Sequence, residues 1–518
     1  MGQSLKELWG FAGQSAVRYI AAMPPPTFRA QTPPHFQMKH REMDNLNDDI
    51  LFLIADHLED HGDRYNAVFV NHRFHELFSR ALYRTASLKS RSEVQSFLKT
   101  ITLRPALANA VRSLDFDGWT FEDAQPRIVQ DELALFSKSE EAFAHSPEEQ
   151  VQWENDLSDG MDEAWMALLL ASVPNVRQLR LVYPSHSLES RGYLDRLLQR
   201  AATQQKPLDE RLAFTLLQEV SLRQVTRDDD ANGTFSPAQI QPFLQMPSLS
   251  RVAVDSLIEY RPELEASEEQ PLIHLAPQQT EEPPSEQNHQ LSEITFTSSN
   301  AFNGLKTLLG HPSCRALKSF KYQHTDALLL SEGFQPSAFN ASLSRHKSTL
   351  ETLWLDNFGT HLPFTIGGLN ESYEEWFGSL ADFTALKDLR IRLTNLLDIQ
   401  YSFEPVTPLT EVLPEGIERL YVEDCKERSL GMLLGQIGLV LEARKNGRFK
   451  QLRDFDIEGF FHDDEEDVET SGDGDWEGSG GLVIKPRVYE MVEPSKEACE
   501  RAGIRLGLRD WMCPQTMS

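Results

Sequence analysis

Trp354, Arg390, Arg392 and Tyr421 fall on three successive copies of one six-residue pattern, with Lys321 on the copy before them. Tryptophan, tyrosine and arginine dominate protein-binding hot spots, because each joins a large contact area to directional donors. An arginine fork also matches a carboxylate or phosphate with two parallel hydrogen bonds. The chain carries a net charge of −29. A cationic, aromatic patch stands out against that background, and its chemistry is recognition of an acidic or phosphorylated segment. Lys321, Trp354, Arg390, Arg392 and Tyr421 are therefore the candidate substrate-binding residues. The competing expectation is that Trp354 and Tyr421 pack under a loop or on a neighbouring strand.

Bond-making chemistry has no comparable signature. The sequence contains no GxSxG, no P-loop, no GxGxxG after a strand and no HExxH. His72 and His75 stand three apart on a helical stretch, a metal pair only if two further ligands converge, and are expected to be exposed. Cys314, Cys425, Cys499 and Cys513 lie far apart, with no CxxC and no zinc spacing. Free thiols in a reducing compartment, cytoplasm or nucleus, are the expectation. No catalytic residue, metal or cofactor is expected. The acidity disfavours nucleic acid and anionic membranes as partners. No apolar run reaches the roughly 18–20 residues of a membrane helix.

The elements that would position the patch recur. An apolar-x-x-apolar-x-apolar motif appears ten times, from "VRSLDF" at 111 and "VRQLRL" at 176 to "LRDFDI" at 452. From 176 to 452 the steps run from 26 to 42 residues, a mean of 276/8 = 34.5. The last three positions alternate as a strand does. Helical stretches closed by Pro or Gly lie between, such as "EAWMALLLASVP" and "LGMLLGQIGLVLEARKNG". Strands alternating with helices at a recurring period predict an α/β solenoid, whose units bury their apolar faces only by stacking. Positions one, four and six should point inward. Position five and the residue after position six should line an open inner face.

Ahead of the repeats, "MDNLNDDILFLIADHL" at 43–58 brings Ile50, Leu51, Ile54 and Leu58 onto one helical face. Asp44 or Asn47 can cap that helix. His61-Gly62-Asp63 is expected to break it, and at least two more short helices should follow through "YNAVFVNHRFHELFSRALYRTASL". A unit under about 50 residues has little core of its own.

These residues carry a resemblance. The array resembles leucine-rich repeats in a long, degenerate form, and residues 43–88 resemble an F-box. "NLNDDILFLIADHL" is similar to the F-box opening, and "VFVNHRFHELFSRALYR" to its second half. Asn47 and Asp49 stand where the F-box mostly has Pro and Glu, and the repeats lack the Asn/Cys ladder except at Cys425. The resemblance implies a substrate-recognition subunit of an SCF-type ubiquitin ligase, itself not an enzyme. Leu46, Ile50, Leu51, Ile54, Leu58, Val70, Phe74 and Leu82 would face a Skp-type adaptor, and through it a cullin scaffold. The repeats would hold an unknown protein substrate. The alternative is an adaptor-independent leucine-rich-repeat scaffold with a decayed F-box. The expected organisation is a disordered leader (1–42), the F-box (43–88), a helical connector with the first repeat strand (89–175), and degenerate repeats (176–460). An acidic disordered insertion (461–482) and a C-terminal cap (483–518) complete it.

Overall fold

The structure is a computed structural model and describes residues 46–58, 60–121, 136, 146–185, 192–205, 214–226, 233–260, 291–325, 334–356, 375–399, 404–462 and 483–510. The expected leader, Cys513 and all of the acidic insertion but residues 461–462 lie outside them. The chain divides into two units, one drawn from Met1–Gly233 and Gln245–Leu249, the other from Thr234–Leu244 and Ser250–Ser518.

The first unit begins with three short helices, α1 (Asp48–His57), α2 (His61–Val68) and α3 (His72–Leu82). Each starts where a short polar side chain accepts an orphan backbone N–H. Asn47 accepts from Asp49 N at 3.5 Å, Asp60 from Asp63 N at 3.1 Å and Asn71 from Phe74 N at 2.8 Å. The first helix ends at His57, before His61-Gly62-Asp63 rather than at it. Asp60 caps a helix that runs through those three residues, so the expected breaker is a helix start. Both α1 and α2 pack on α3. Arg73 of α3 adds a hydrogen bond to Asp48 at 2.9 Å.

Strands β1 (Thr85–Ser87), β2 (Ser113–Asp115), β3 (Gln178–Ser185) and β4 (Glu219–Thr226) follow, paired in parallel and in chain order. β1 belongs to a further copy of the motif, Tyr83-x-x-Ala86-x-Leu88, with all three residues buried. The repeats thus begin inside the segment assigned to the F-box. Helices α4 (Arg91–Leu103), α5 (Pro147–Ser158), α6 (Asp162–Ser172) and α7 (Tyr193–Ala202) accompany these strands. Residues 162–171 of α6 are all buried, with α4 and α7 packed against them. The acids that open α6 are buried with partners, as a buried charge requires. Asp162 meets Arg91 at 3.4 Å, and Glu163 accepts from Leu194 N at 3.0 Å.

The second unit carries β5 (Arg251–Asp255), β6 (Ile258–Glu259), β7 (Glu293–Ala301), β8 (Ser319–His324), β9 (Thr352–Asp356), β10 (Asp388–Arg392), β11 (Arg419–Lys426), β12 (Asp454–Phe460) and β13 (Arg505–Asp510). All pair in parallel in the order β5-β7-β8-β9-β10-β11-β12-β13, with β6 also on β7. Helix α8 (Pro237–Leu244) precedes β5, and α9 (Pro336–Leu343), α10 (Glu427–Lys445) and α11 (Pro486–Arg501) lie between later strands. Within each unit, strands stack in chain order with helices in the connections, the arrangement expected of an α/β solenoid. In all ten predicted copies, positions one, four and six are at most 4% exposed; Leu249 is the least buried. The expected C-terminal cap is itself a helix–strand repeat, α11 and β13.

One glycine is dictated by close approach. Gly459 of β12 pairs with Cys425 of β11, and a Cβ there would lie 2.0 Å from the Cys425 carbonyl oxygen. Gly459→Ala should cost about 1–3 kcal/mol as overpacking against backbone, read as a lower denaturation midpoint with an unchanged slope.

Candidate protein-binding surfaces

The three N-terminal helices leave a set of large apolar side chains uncovered. Ile50 is 45% exposed, Leu53 59%, Phe69 42% and Val70 41%. Ile50 and Leu53 are one turn apart on α1, so they share a face. Phe69 meets Tyr65 edge-on, at 4.9 Å. Of the predicted adaptor-facing residues, Ile50 and Val70 lie in this exposed set. Leu46, Ile54 and Leu58 are half-buried. Leu51, Phe74 and Leu82 are at most 4% exposed and face the helices' own interior. Phe74 stacks on Phe78 at 5.0 Å. Those three fill the core of the helical unit and present nothing to a partner. Leu53 and Phe69 are exposed although neither lies on the apolar stripe that periodicity singles out.

The second surface is the sheet face opposite the helices in the second unit. Register brings Lys321, Trp354, Arg390 and Tyr421 side by side on β8, β9, β10 and β11. The Lys321 ammonium lies 4.5 Å from the Trp354 ring centroid, and the Arg390 guanidinium 5.9 Å from the same ring. Tyr421 is flanked by Arg390 at 4.5 Å and by Arg509 of β13 at 5.6 Å. Alternating cations and rings form a ladder in which each quadrupole meets a charge.

The cations in this ladder are paired within the chain. Lys321 meets Glu293 at 3.4 Å, Arg390 donates to Glu423, and Arg392 to Asp424. Arg392 is 5% exposed and so does not line the open face as its position in the motif predicts. The cause is a bulge. Register in β11 shifts between Val422 and Cys425, with Asp424 at φ 51°. A bulge re-aims side chains, and this one turns Glu423 and Asp424 toward β10. The guanidinium forks expected to await a phosphorylated segment are held by these carboxylates.

Tyr421 donates its hydroxyl proton to Glu458. Burial first, and then that carboxylate, hold the phenol far above its ordinary range, so it remains a donor at any physiological pH. Tyr421→Phe should cost only about 0.5–1.5 kcal/mol, the net worth of one hydrogen bond, because the ring keeps both cations. A melt showing a larger loss would make Glu458 a buried charge dependent on that bond.

Chemistry at the cysteines is muted. Burial pushes the Cys314 and Cys425 thiols up to about 12 and Cys499 to about 11, so all three stay protonated at neutral pH. Among the described residues no group of three or more His, Cys, Asp or Glu converges on a metal position, and no helix is long and apolar enough to cross a membrane.

Comparison with known proteins agrees with this architecture. A family described as a leucine-rich repeat domain matches residues 85–453, from the first residue of β1 to the residue before β12. No curated protein matches the chain.

Proposed function

The chain belongs to the leucine-rich repeat domain family, whose members bind protein partners, and on that premise we propose that it is the substrate-recognition subunit of an SCF-type ubiquitin ligase. In this reading α1–α3 dock on a Skp-type adaptor that carries the cullin scaffold, and the repeats hold a protein destined for ubiquitin-dependent degradation in the cytoplasm or nucleus. The protein makes no bond itself. It raises the effective concentration of substrate beside the charged ubiquitin.

The observation that supports docking is the uncovered set Ile50, Leu53, Phe69 and Val70. Among the described residues, four of the eleven exposed large hydrophobics fall within this short stretch. Apolar helical side chains of this kind are what a groove on a partner buries. Asn47 and Asp49, the departures from the F-box pattern, have local roles. Asn47 caps α1, and Asp49 sits in its first turn, where an acid favours the helix dipole. Their presence is thus accounted for without decay of the motif.

The test is retention of purified Skp-type adaptor on the immobilised full-length chain. Retention comparable to that of an established F-box protein supports the reading. No retention under the same conditions leaves the adaptor-independent repeat scaffold in its place.

A further inference from the structure

Within each unit the residue at position two of each motif copy lies along one edge of that unit's strands, and the two units differ there in charge. In the second unit the Lys318 carbonyl accepts from Glu351 N at 2.7 Å, that of Glu351 from Lys387 N at 2.9 Å, that of Lys387 from Glu418 N at 2.8 Å and that of Glu418 from Arg453 N at 2.9 Å. The side chains alternate in sign and pair: Lys318–Glu351 at 3.6 Å, Lys387–Glu351 at 2.7 Å and Arg453–Glu418 at 2.8 Å. The same backbone ladder in the first unit reads Arg84, Arg112, Arg177. Arg112 N donates to the Arg84 carbonyl at 2.8 Å and Arg177 N to the Arg112 carbonyl at 2.7 Å. Three like charges stand in neighbouring positions, an arrangement that costs stability.

Little among the described residues offsets them. Asp56 pairs with Arg84. Arg112 reaches the carbonyls of Asn109 at 2.7 Å and Val111 at 3.0 Å. Among the described residues no carboxylate pairs with Arg112, Arg177 or Arg80. Burial, and after it the neighbouring Arg177 and Arg84, hold the Arg112 guanidinium below its ordinary range. Beside the row opens a groove of about 540 Å³ lined by Arg80, Arg84, Arg112, Phe52, Asp56 and Asn109.

We propose that this arginine row and its groove bind an oxyanion-bearing segment of a protein partner, phosphorylated or carboxylate-rich. Planar guanidinium forks suit both oxyanions. The overall −29 charge argues for a peptide over nucleic acid or an anionic membrane. The groove takes Phe52 and Asp56 from α1, whereas Arg112 and Arg177 lie outside α1–α3, so variants at those two arginines read the anion site apart from adaptor docking.

The experiment uses the full-length chain and three fluorescein-labelled Gly/Ser peptides of one length: one with two phosphoserines, one with four glutamates, one with neither. Anisotropy should show salt-sensitive binding of an acidic peptide and none of the neutral one, and the tighter of the two acidic probes identifies the anion. Arg112→Glu recreates the alternation of the second unit. It should keep the melting temperature and weaken binding at least tenfold. Arg177→Ala should weaken it at least threefold and decides the matter alone if Arg112→Glu does not fold. Lys387→Ala should bind as wild type. Failure of both acidic probes to exceed the neutral one overturns the proposal, as does wild-type affinity in Arg177→Ala. Adaptor capture by the same variants should be unchanged.

Discussion

Ile50→Asp combined with Leu53→Asp should abolish capture of a Skp-type adaptor while the protein stays folded. Both side chains are exposed, at 45% and 59%, so a carboxylate at either position stays in water in the free protein and costs it little. In a complex that covers this face, each unpaired carboxylate is buried at a cost of about 3 kcal/mol. Two together amount to about four orders of magnitude in affinity. Leu51→Asp is the contrasting variant. Leu51 is 0% exposed, so its carboxylate enters the core shared by α1 and α3 and destabilises the helices themselves. The pair separates docking from folding: the double variant loses the adaptor with an unchanged melt, and Leu51→Asp loses both. Undiminished capture by the double variant would show that this face does not dock.

Phe320→Ala should lower stability by about 3–5 kcal/mol, the cost of removing a buried aromatic and leaving its cavity. Phe320 is 0% exposed on β8. Its ring meets Phe296 of β7 at 6.2 Å and Phe339 of α9 at 5.9 Å, so one side chain joins two neighbouring strands to the helix between repeats. Because a repeat contacts mainly its neighbours, the loss should appear in the unfolding of the second unit and spare α1–α3. Denaturant titration followed by hydrogen exchange reads both. A cost below about 1 kcal/mol would mean that the repeats do not share a continuous core.

The stacking was legible because it rests on a local rule. Each motif copy needs three apolar residues at fixed offsets, and Leu291, Ile294 and Phe296 or Leu386, Leu389 and Ile391 satisfy it without reference to distant chain. The two terminal copies escaped for equally local reasons. Ala86 is small and lies within a stretch that resembles an F-box, and Gly503 takes the apolar first position of the copy that ends at Leu508. The binding faces were less legible. Periodicity identified an apolar stripe on α1 but not which neighbour covers it, so Leu51 was grouped with Ile50 although α3 buries only one of them. Register did bring Lys321, Trp354, Arg390 and Tyr421 together. The pairing of Arg390 and Arg392, however, depends on a bulge at Glu423 and Asp424 one strand away, which no spacing within β10 reveals. The arginine row at 84, 112 and 177 is spread over three copies and becomes visible only once those strands lie side by side.

The docking account is tested most directly by hydrogen exchange of the full-length chain with and without purified Skp-type adaptor. It predicts new protection confined to residues 46–82, strongest around Ile50, Leu53 and Phe69, with the strands from β7 to β13 unchanged and still available to a substrate. Protection that falls on the repeat strands instead, or no protection at saturating adaptor, would contradict it.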